Sequence, residues 1–277
     1  MSTEVGKGTM QQNGTRLAGK VAIVTGAGAR CEVTGTGQAT AILFARQGAK
    51  VLLADLDESN AAKTLDTIED VGGEASIFVA DVTKNADCQA MVEAAVSRYG
   101  GLHILFNNAG LAGAKTVVDV EEDAWDRVVE VNLKGTMLAC KHAIPQMIAS
   151  GSGSIINISS IDGMRAGWGP NIPYAAAKGG VIAMTRNMAA HHGRDNIRVN
   201  SIAPGHVWGS FLGTIAEESR DLRRRGTSLG TEGTAWDVAW AGVFLASDEA
   251  RWISGVVLPV DAGTLAATPL ALLEHLR

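Results

Sequence analysis

Residues 20–47 read KVAIVTGAGARCEVTGTGQATAILFARQ. Lys20–Thr25 is a β-rich apolar run that stops at a glycine. Gly26, Gly28, Gly35 and Gly37 follow, and Thr36–Gln47 then reads as a helix. Strand, glycine turn and helix in that order bring free helix N–H groups against a backbone that another group can approach closely. Such a turn suits a pyrophosphate.

The same alternation continues outward. Val51–Ala54 is a second strand, ending at Asp55, and Ala75–Ala80 a third, ending at Asp81. Leu102–Phe106 ends in Asn107-Asn108-Ala109-Gly110, Ser154–Ile158 in Ser159-Ser160, and Ile197–Ile202 in Pro204-Gly205; Val256–Val260 is the last run. Ala86–Tyr99, Glu121–Ala149 and Tyr174–His192 read as helices between them. Strands apolar on both faces and alternating with helices predict an α/β fold, a doubly wound parallel sheet covered on both sides. Ligands of such sheets bind beyond the carboxyl ends of the strands, where the special residues fall. Gly205–Gly233 is too long for a simple connection and predicts a substrate lid over about 205–233.

The formal charge is −5 and there is no large basic block, which argues against nucleic acid and anionic membranes as partners. Arg223, Arg224 and Arg225 read as a solvated helix end or loop. Met1–Arg16 is polar and lacks the apolar core of a signal peptide, so a disordered tail is expected there and a single domain over 17–277. No apolar run approaches the roughly 20 residues of a membrane span. Cys31, Cys88 and Cys140 are scattered, and the neighbours His191 and His192 do not share a helix face; no disulfide framework and no metal site is expected. A cytoplasmic enzyme with reduced thiols fits this pattern.

Asp55 closes the second strand and can accept both ribose hydroxyls of NAD, while its charge repels the 2′-phosphate of NADP. Leu56 beside it offers that phosphate no positive charge; Arg30, in the glycine turn, is the one residue there that can. Tyr174 and Lys178, at i and i+4, share a helix face. A nearby cation favours phenolate, so the expectation is a tyrosine tuned toward working pH, able to exchange a proton with an alcohol or ketone oxygen. Ser160, at a strand end, supplies a hydroxyl to the same oxygen.

With these residues in place the chain resembles the short-chain dehydrogenases/reductases over about residues 18–263. The matching motifs are TGAG…GTG in the turn, Asp81-Val82, NNAG at 107–110, VNLKG at 131–135, NISS at 157–160, YAAAK at 174–178 and IRVNSIAPG at 197–205. The resemblance implies a seven-stranded Rossmann sheet and a homotetramer or dimer. It makes Tyr174 the acid/base, has Lys178 lower its pKa and hold the nicotinamide ribose, and has Ser160 orient the substrate oxygen. Asn132 would hold a water in a proton relay. Gly26, Gly35, Thr36, Gly37, Asp55, Asp81, Val82, Asn108, Ala109, Gly110, Pro204, Gly205 and Val207 would bind the cofactor. Asn107 is read as structural.

Three departures stand out. The turn carries extra residues within Ala29–Thr34, expected to bulge beside the cofactor phosphates. Ser160 and Tyr174 are slightly further apart than is usual, and Gly209, followed by Ser210, stands where a threonine often contacts the carboxamide. Met164, Trp168 and Ile172 before the helix, and Val207, Trp208, Phe211, Leu212 and Ile215 after Gly205, predict an apolar pocket for a bulky cyclic or aryl secondary alcohol. Two alternatives stand beside this reading: a 3-oxoacyl carrier-protein reductase, whose usual NADP preference Asp55-Leu56 speaks against, and a catalytically silent NAD-binding protein.

Overall fold

A computed structural model describes residues 14–276 except positions 168, 212 and 214. The chain runs β1 (Val21–Thr25), α1 (Thr36–Arg46), β2 (Lys50–Asp55), α2 (Glu58–Glu69), β3 (Glu74–Val79), α3 (Asn85–Tyr99) and β4 (Ile104–Asn107). It continues through α4 (Glu122–Val129), α5 (Gly135–Ala149), β5 (Gly153–Ile158), α6 (Ile172–His192) and β6 (Ile197–Pro204). The last part holds β7 (Val207–Trp208), α7 (Glu217–Arg225), β8 (Gly233–Thr234), α8 (Ala235–Ala246) and β9 (Val257–Val260).

Seven strands form one parallel sheet in the order β3-β2-β1-β4-β5-β6-β9. The chain leaves β1 toward one edge and returns to β4 on its other side, so the order reverses between β1 and β4. A crevice opens there at the carboxyl ends. β1, β4 and β5 are buried along their whole length, which requires cover on both faces. α1 and α8 supply one cover, with Phe44, Val238 and Val243 in its core; α3 and α5 supply the other, with Met91, Ala139 and Met147. Phe44 meets Phe106 of β4 edge-on, ring centroids 5.8 Å apart. Gly242 lets α8 close on that ring: a Cβ there would stand 2.9 Å from it.

Asn107 donates to Asn157 and Asn157 to Thr185, both at 2.9 Å and all buried, a chain that joins β4, β5 and α6. Tyr99 is likewise structural; its hydroxyl donates to Ser76 on the edge strand β3 at 2.7 Å.

Two expectations need correction. The disorder expected through Arg16 does not hold for residues 14–16: the Gly14 amide donates to Arg46 at 3.0 Å and Arg16 pairs with Glu249, while positions 1–13 lie outside the described residues. The single helix expected over Glu121–Ala149 is interrupted by a π-helical turn, Glu130–Lys134. Its cause is Asn132, whose side-chain amide donates to Val128 and Leu111 carbonyls at 2.9 Å each and so competes for the helix's own acceptors. The long connection after Gly205, too long for a simple one, contains α7 and the parallel pair β7–β8.

Removing the Phe44 ring leaves a cavity between α1 and β4. We expect Phe44→Ala to cost about 3–5 kcal/mol, read as a fall in the urea midpoint at unchanged slope; a loss near zero would show that this face of the sheet is not close-packed.

Candidate active site

The crevice is a cavity of about 450 Å³ at the strand ends. At one end lie Gly26, Gly28, Arg30, Gly35, Thr36 and Gly37, faced by Asn108, Ala109 and Gly110. Gly26 has φ +64°, a conformation natural to glycine. Gly37 opens α1 directly against it: a Cβ at Gly37 would lie 2.0 Å from the Gly26 carbonyl oxygen. Neither a side-chain cap nor an acidic residue blocks the first turn of α1. A cradle that one methyl group would fill, at an uncapped helix start, fits a dinucleotide pyrophosphate.

Asp55 is buried just behind this turn. Its carboxylate accepts from the Gly28 amide at 2.8 Å and the Asp57 amide at 3.1 Å, so it fastens the turn to the end of β2. Asp81 accepts from the Thr83 amide and hydroxyl at 2.9 and 2.7 Å. Burial alone would push its carboxyl up, but those Thr83 bonds outweigh it and hold it below the ordinary range. Val82 packs on Gly135. Asp55, Asp81 and Val82 all stand outside the cavity lining. The extra residues of the turn do border it, through Arg30, but they also lean on the segment after β7: Thr34 backs Gly209, and Ser210 fills the space beside Gly35.

Ser160, Tyr174 and Lys178 converge at the other end, with Pro204, Gly205 and Val207. The Ser160 side chain accepts from the Asp162 amide at 3.1 Å and is hydrogen-bonded to the Tyr174 phenol. Lys178 is buried; its Nζ donates to the Ile158 carbonyl at 2.7 Å and lies 5.4 Å from the Tyr174 ring centre. The expected downward tuning of Tyr174 by Lys178 is not what dominates here. Burial pushes the phenol well above its ordinary value, with Ser160 offsetting part, and burial pushes the Lys178 ammonium down to about 7. Asn132 is fully buried, and its Oδ1 has no protein partner.

The expected substrate contacts divide. Phe211 borders the cavity and packs on Tyr174 with ring centroids 5.9 Å apart, and Ile215 joins it. Trp208 does not border it: the Arg220 guanidinium, 4.1 Å away, stacks on the indole instead. Met164 is exposed and also outside the lining. Trp168 lies outside the described residues. The arginine run, expected to be solvated, is split. Arg224 and Arg225 pair with Asp221, whereas Arg223 is 8% exposed and borders the cavity. The sequence reading missed Arg223, Ser219, Asp162, Asn171 and His206 in the lining. Among the described residues no group of three His, Cys, Asp or Glu side chains could hold a metal ion.

Because Lys178 has its folded pKa near 7 against an ordinary 10.5, the unfolded chain binds more protons between those values. The stability contributed by Lys178 therefore rises with pH across that window and is lost as pH falls toward 7. We expect the melting temperature of the wild type to gain on that of Lys178→Met between pH 7 and pH 9. A gap that does not move with pH would show that the ammonium is not destabilised by burial.

Comparison with known proteins extends this geometry. The family model described as enoyl-(acyl carrier protein) reductase matches residues 31–264. The chain is 37% identical over 248 residues to the 3-oxoacyl-acyl-carrier-protein reductase FabG of Thermotoga maritima, covering 90% of this chain and 98% of that one. It is 41% identical over 252 residues to a mitochondrial borneol dehydrogenase of Lavandula x intermedia, covering 90% and 91%. A solved structure from Burkholderia xenovorans, described as a short-chain dehydrogenase/reductase, superposes with a TM-score of 0.88 at 37% identity, covering 92% of this chain and 99% of that one. With the parallel sheet, the glycine cradle and the Ser160–Tyr174–Lys178 cluster, these likenesses make the chain a member of the short-chain dehydrogenase/reductase family of oxidoreductases.

Proposed function

We propose that the protein is an NAD-dependent dehydrogenase that interconverts a secondary alcohol and its ketone. The observation that carries this is the meeting, in one cavity, of the glycine cradle with Ser160, Tyr174 and Lys178. Bound nicotinamide dinucleotide supplies the hydride acceptor or donor. Gly26, Gly35, Thr36 and Gly37 would hold its pyrophosphate, Asn108–Gly110 its flank, and Pro204, Gly205 and Val207 its nicotinamide end.

The protein's own groups then handle the proton. Ser160 donates a hydrogen bond that fixes the carbinol or carbonyl oxygen. The Tyr174 phenol, kept protonated by burial, gives its proton to that oxygen in the reductive direction and takes one back in the oxidative direction. Protonated Lys178 favours the phenolate that this exchange requires. Asn132 Oδ1, unclaimed by any protein donor, is placed to hold a water that returns protons to solvent.

Asp55 supports NAD over NADP. It puts a buried carboxylate against the turn, and exposed Leu56 follows it. Phe211 and Ile215 support a substrate with an apolar frame. So do the names of relatives that act on cyclic compounds, such as borneol dehydrogenase and the levodione reductase of Leifsonia aquatica, 36% identical over 266 residues. The likeness to FabG keeps a 3-oxoacyl carrier-protein reductase as a second reading.

We expect Tyr174→Phe to lower kcat by about 10²–10⁴-fold while NAD affinity survives, because the ring and its packing on Phe211 remain. A variant retaining a tenth of the turnover would remove Tyr174 from the chemistry. The cofactor assignment rests on kcat/KM with each dinucleotide: NAD should be preferred, and a preference for NADP would make Arg30 the phosphate ligand.

A further inference from the structure

Four arginines line one short helix, and only one of them lacks an acid. In α7, Arg220 pairs with Glu217 and with Glu232, while Arg224 and Arg225 pair with Asp221. Arg223 is the most buried of the four, at 8% exposure, and forms no ion pair among the described residues. Among the described residues its Nη1 has no hydrogen-bond partner, and its Nη2 makes one long contact, 3.4 Å, to the Val207 carbonyl. Glu232 is near enough to be felt, but its two oxygens are taken by Arg220 at 3.2 and 2.5 Å. A guanidinium carries five donors in a fixed fork. Burying it without a counter-charge is costly, and such groups are ordinarily paired.

The surroundings hold this arginine toward the cavity. Its own carbonyl accepts from, or faces, His206 Nδ1 at 3.2 Å, which ties the helix to the strand end beside Val207. Burial and the Arg223 charge both depress the His206 pKa, against the raising effect of the hydrogen bond to the Arg223 carbonyl. Ser219, one helical turn earlier, borders the same cavity, as do Ile215 and Phe211. The acid in the lining is Asp162, and its Oδ2 is held by Asn171 Nδ2 at 3.1 Å. An anion entering at Arg223 thus meets a guanidinium without an ion-pair partner among the described residues and the Ser219 hydroxyl, with Asp162 the one carboxylate of the lining.

We propose that Arg223 is the anchor for an anionic group on the substrate, so that the substrate is an oxo or hydroxy acid, or its sulfonate or phosphate counterpart. Its apolar frame rests on Phe211 and Ile215, and its carbinol carbon faces Tyr174. This rests on the dehydrogenase reading for the carbinol end only; the anion end stands on the geometry of α7. The fork selects carboxylate-like groups by paired, charge-assisted hydrogen bonds. Specificity of this kind arises because the site's buried donors go unmatched when a neutral analogue binds.

The test compares oxo acids with their methyl esters. With NADH, the wild-type kcat/KM for 4-oxo-4-phenylbutanoate and 6-oxoheptanoate should exceed that for the corresponding esters by about 10–100-fold. Arg223→Met should erase that preference, leave the ester values within about threefold, and leave the NADH dissociation constant unchanged; Arg223→Lys should restore part of it, since a point charge keeps some attraction. Equal rates on acid and ester in the wild type would overturn the proposal. So would a variant that loses both substrates in step, or one whose loss lies in NADH binding, which would make Arg223 a lid brace or a cofactor ligand. A binding readout separates this from the reading it rests on. In the presence of NADH, 4-phenylbutanoate should raise the melting temperature of the wild type but not of Arg223→Met, and 4-phenyl-1-butanol should raise neither by as much. If no ketone is turned over while that acid-selective protection holds, the dehydrogenase reading fails and the anion site stands. If neither compound protects and esters are reduced as fast as acids, the anion site fails and the dehydrogenase reading stands.

Discussion

At Gly37 the start of α1 passes so close to Gly26 that even a methyl group has no room. This contact sets how near α1 passes to the end of β1, and Asn108 then locks it from the neighbouring strand. The Asn108 side-chain amide donates to the Thr25 and Gly26 carbonyls at 3.1 and 3.0 Å. The amides of Asn108 and Ala109 both donate to the Thr25 hydroxyl, at 3.0 and 3.1 Å. β1 and β4 are the strands between which the winding reverses, so this stitch holds the crevice at the one place where the topology opens it. Backbone groups that would otherwise be unpaired at two strand ends are satisfied there, which leaves the glycine turn rigid and its open side free for a ligand.

What was legible in the sequence follows from how strongly each position is constrained. Strands buried on both faces must be apolar throughout, so VAIVT and SIINI declare themselves, and the residues after them fall at the site by topology. The π-helical turn was not legible, because a lone asparagine inside a helical pattern gives no sign of which carbonyl its amide will capture. α7 was missed for another reason: EESRDLRRR shows no apolar stripe, and its acidic start and basic end, which suit the helix dipole, are a weak signal. Trp208 and Arg223 were then misjudged together. Aromatic character suggested a pocket wall and a triple arginine suggested solvent. The pairing of Arg220 with Glu232 instead seats Arg220 on the indole, and helical periodicity turns Arg223 inward. Nothing in the local sequence distinguishes Arg223 from its two neighbours; only the direction of the helix does.

The cavity therefore contains two buried basic side chains with no ion-pair partner among the described residues, Lys178 beside Tyr174 and Arg223 on α7. Each depresses the stability of the empty fold, since burial disfavours a charge that water no longer solvates. Sites that work on charged or developing-charge species often hold such groups, because the same dry surroundings that make an unpaired cation costly make its pairing with an anion strong. The two cations differ in what they await. Burial alone pushes the Lys178 ammonium down to about 7. A guanidinium stays charged at any working pH, and so Arg223 suits a permanent anion rather than a transient one. The segment after β6 links them: Gly205 to Val207 border the cavity with Tyr174 and Lys178, α7 carries Arg223, and the Val207 carbonyl touches that guanidinium. An anion drawn to Arg223 would compete for the same fork that now reaches toward Val207.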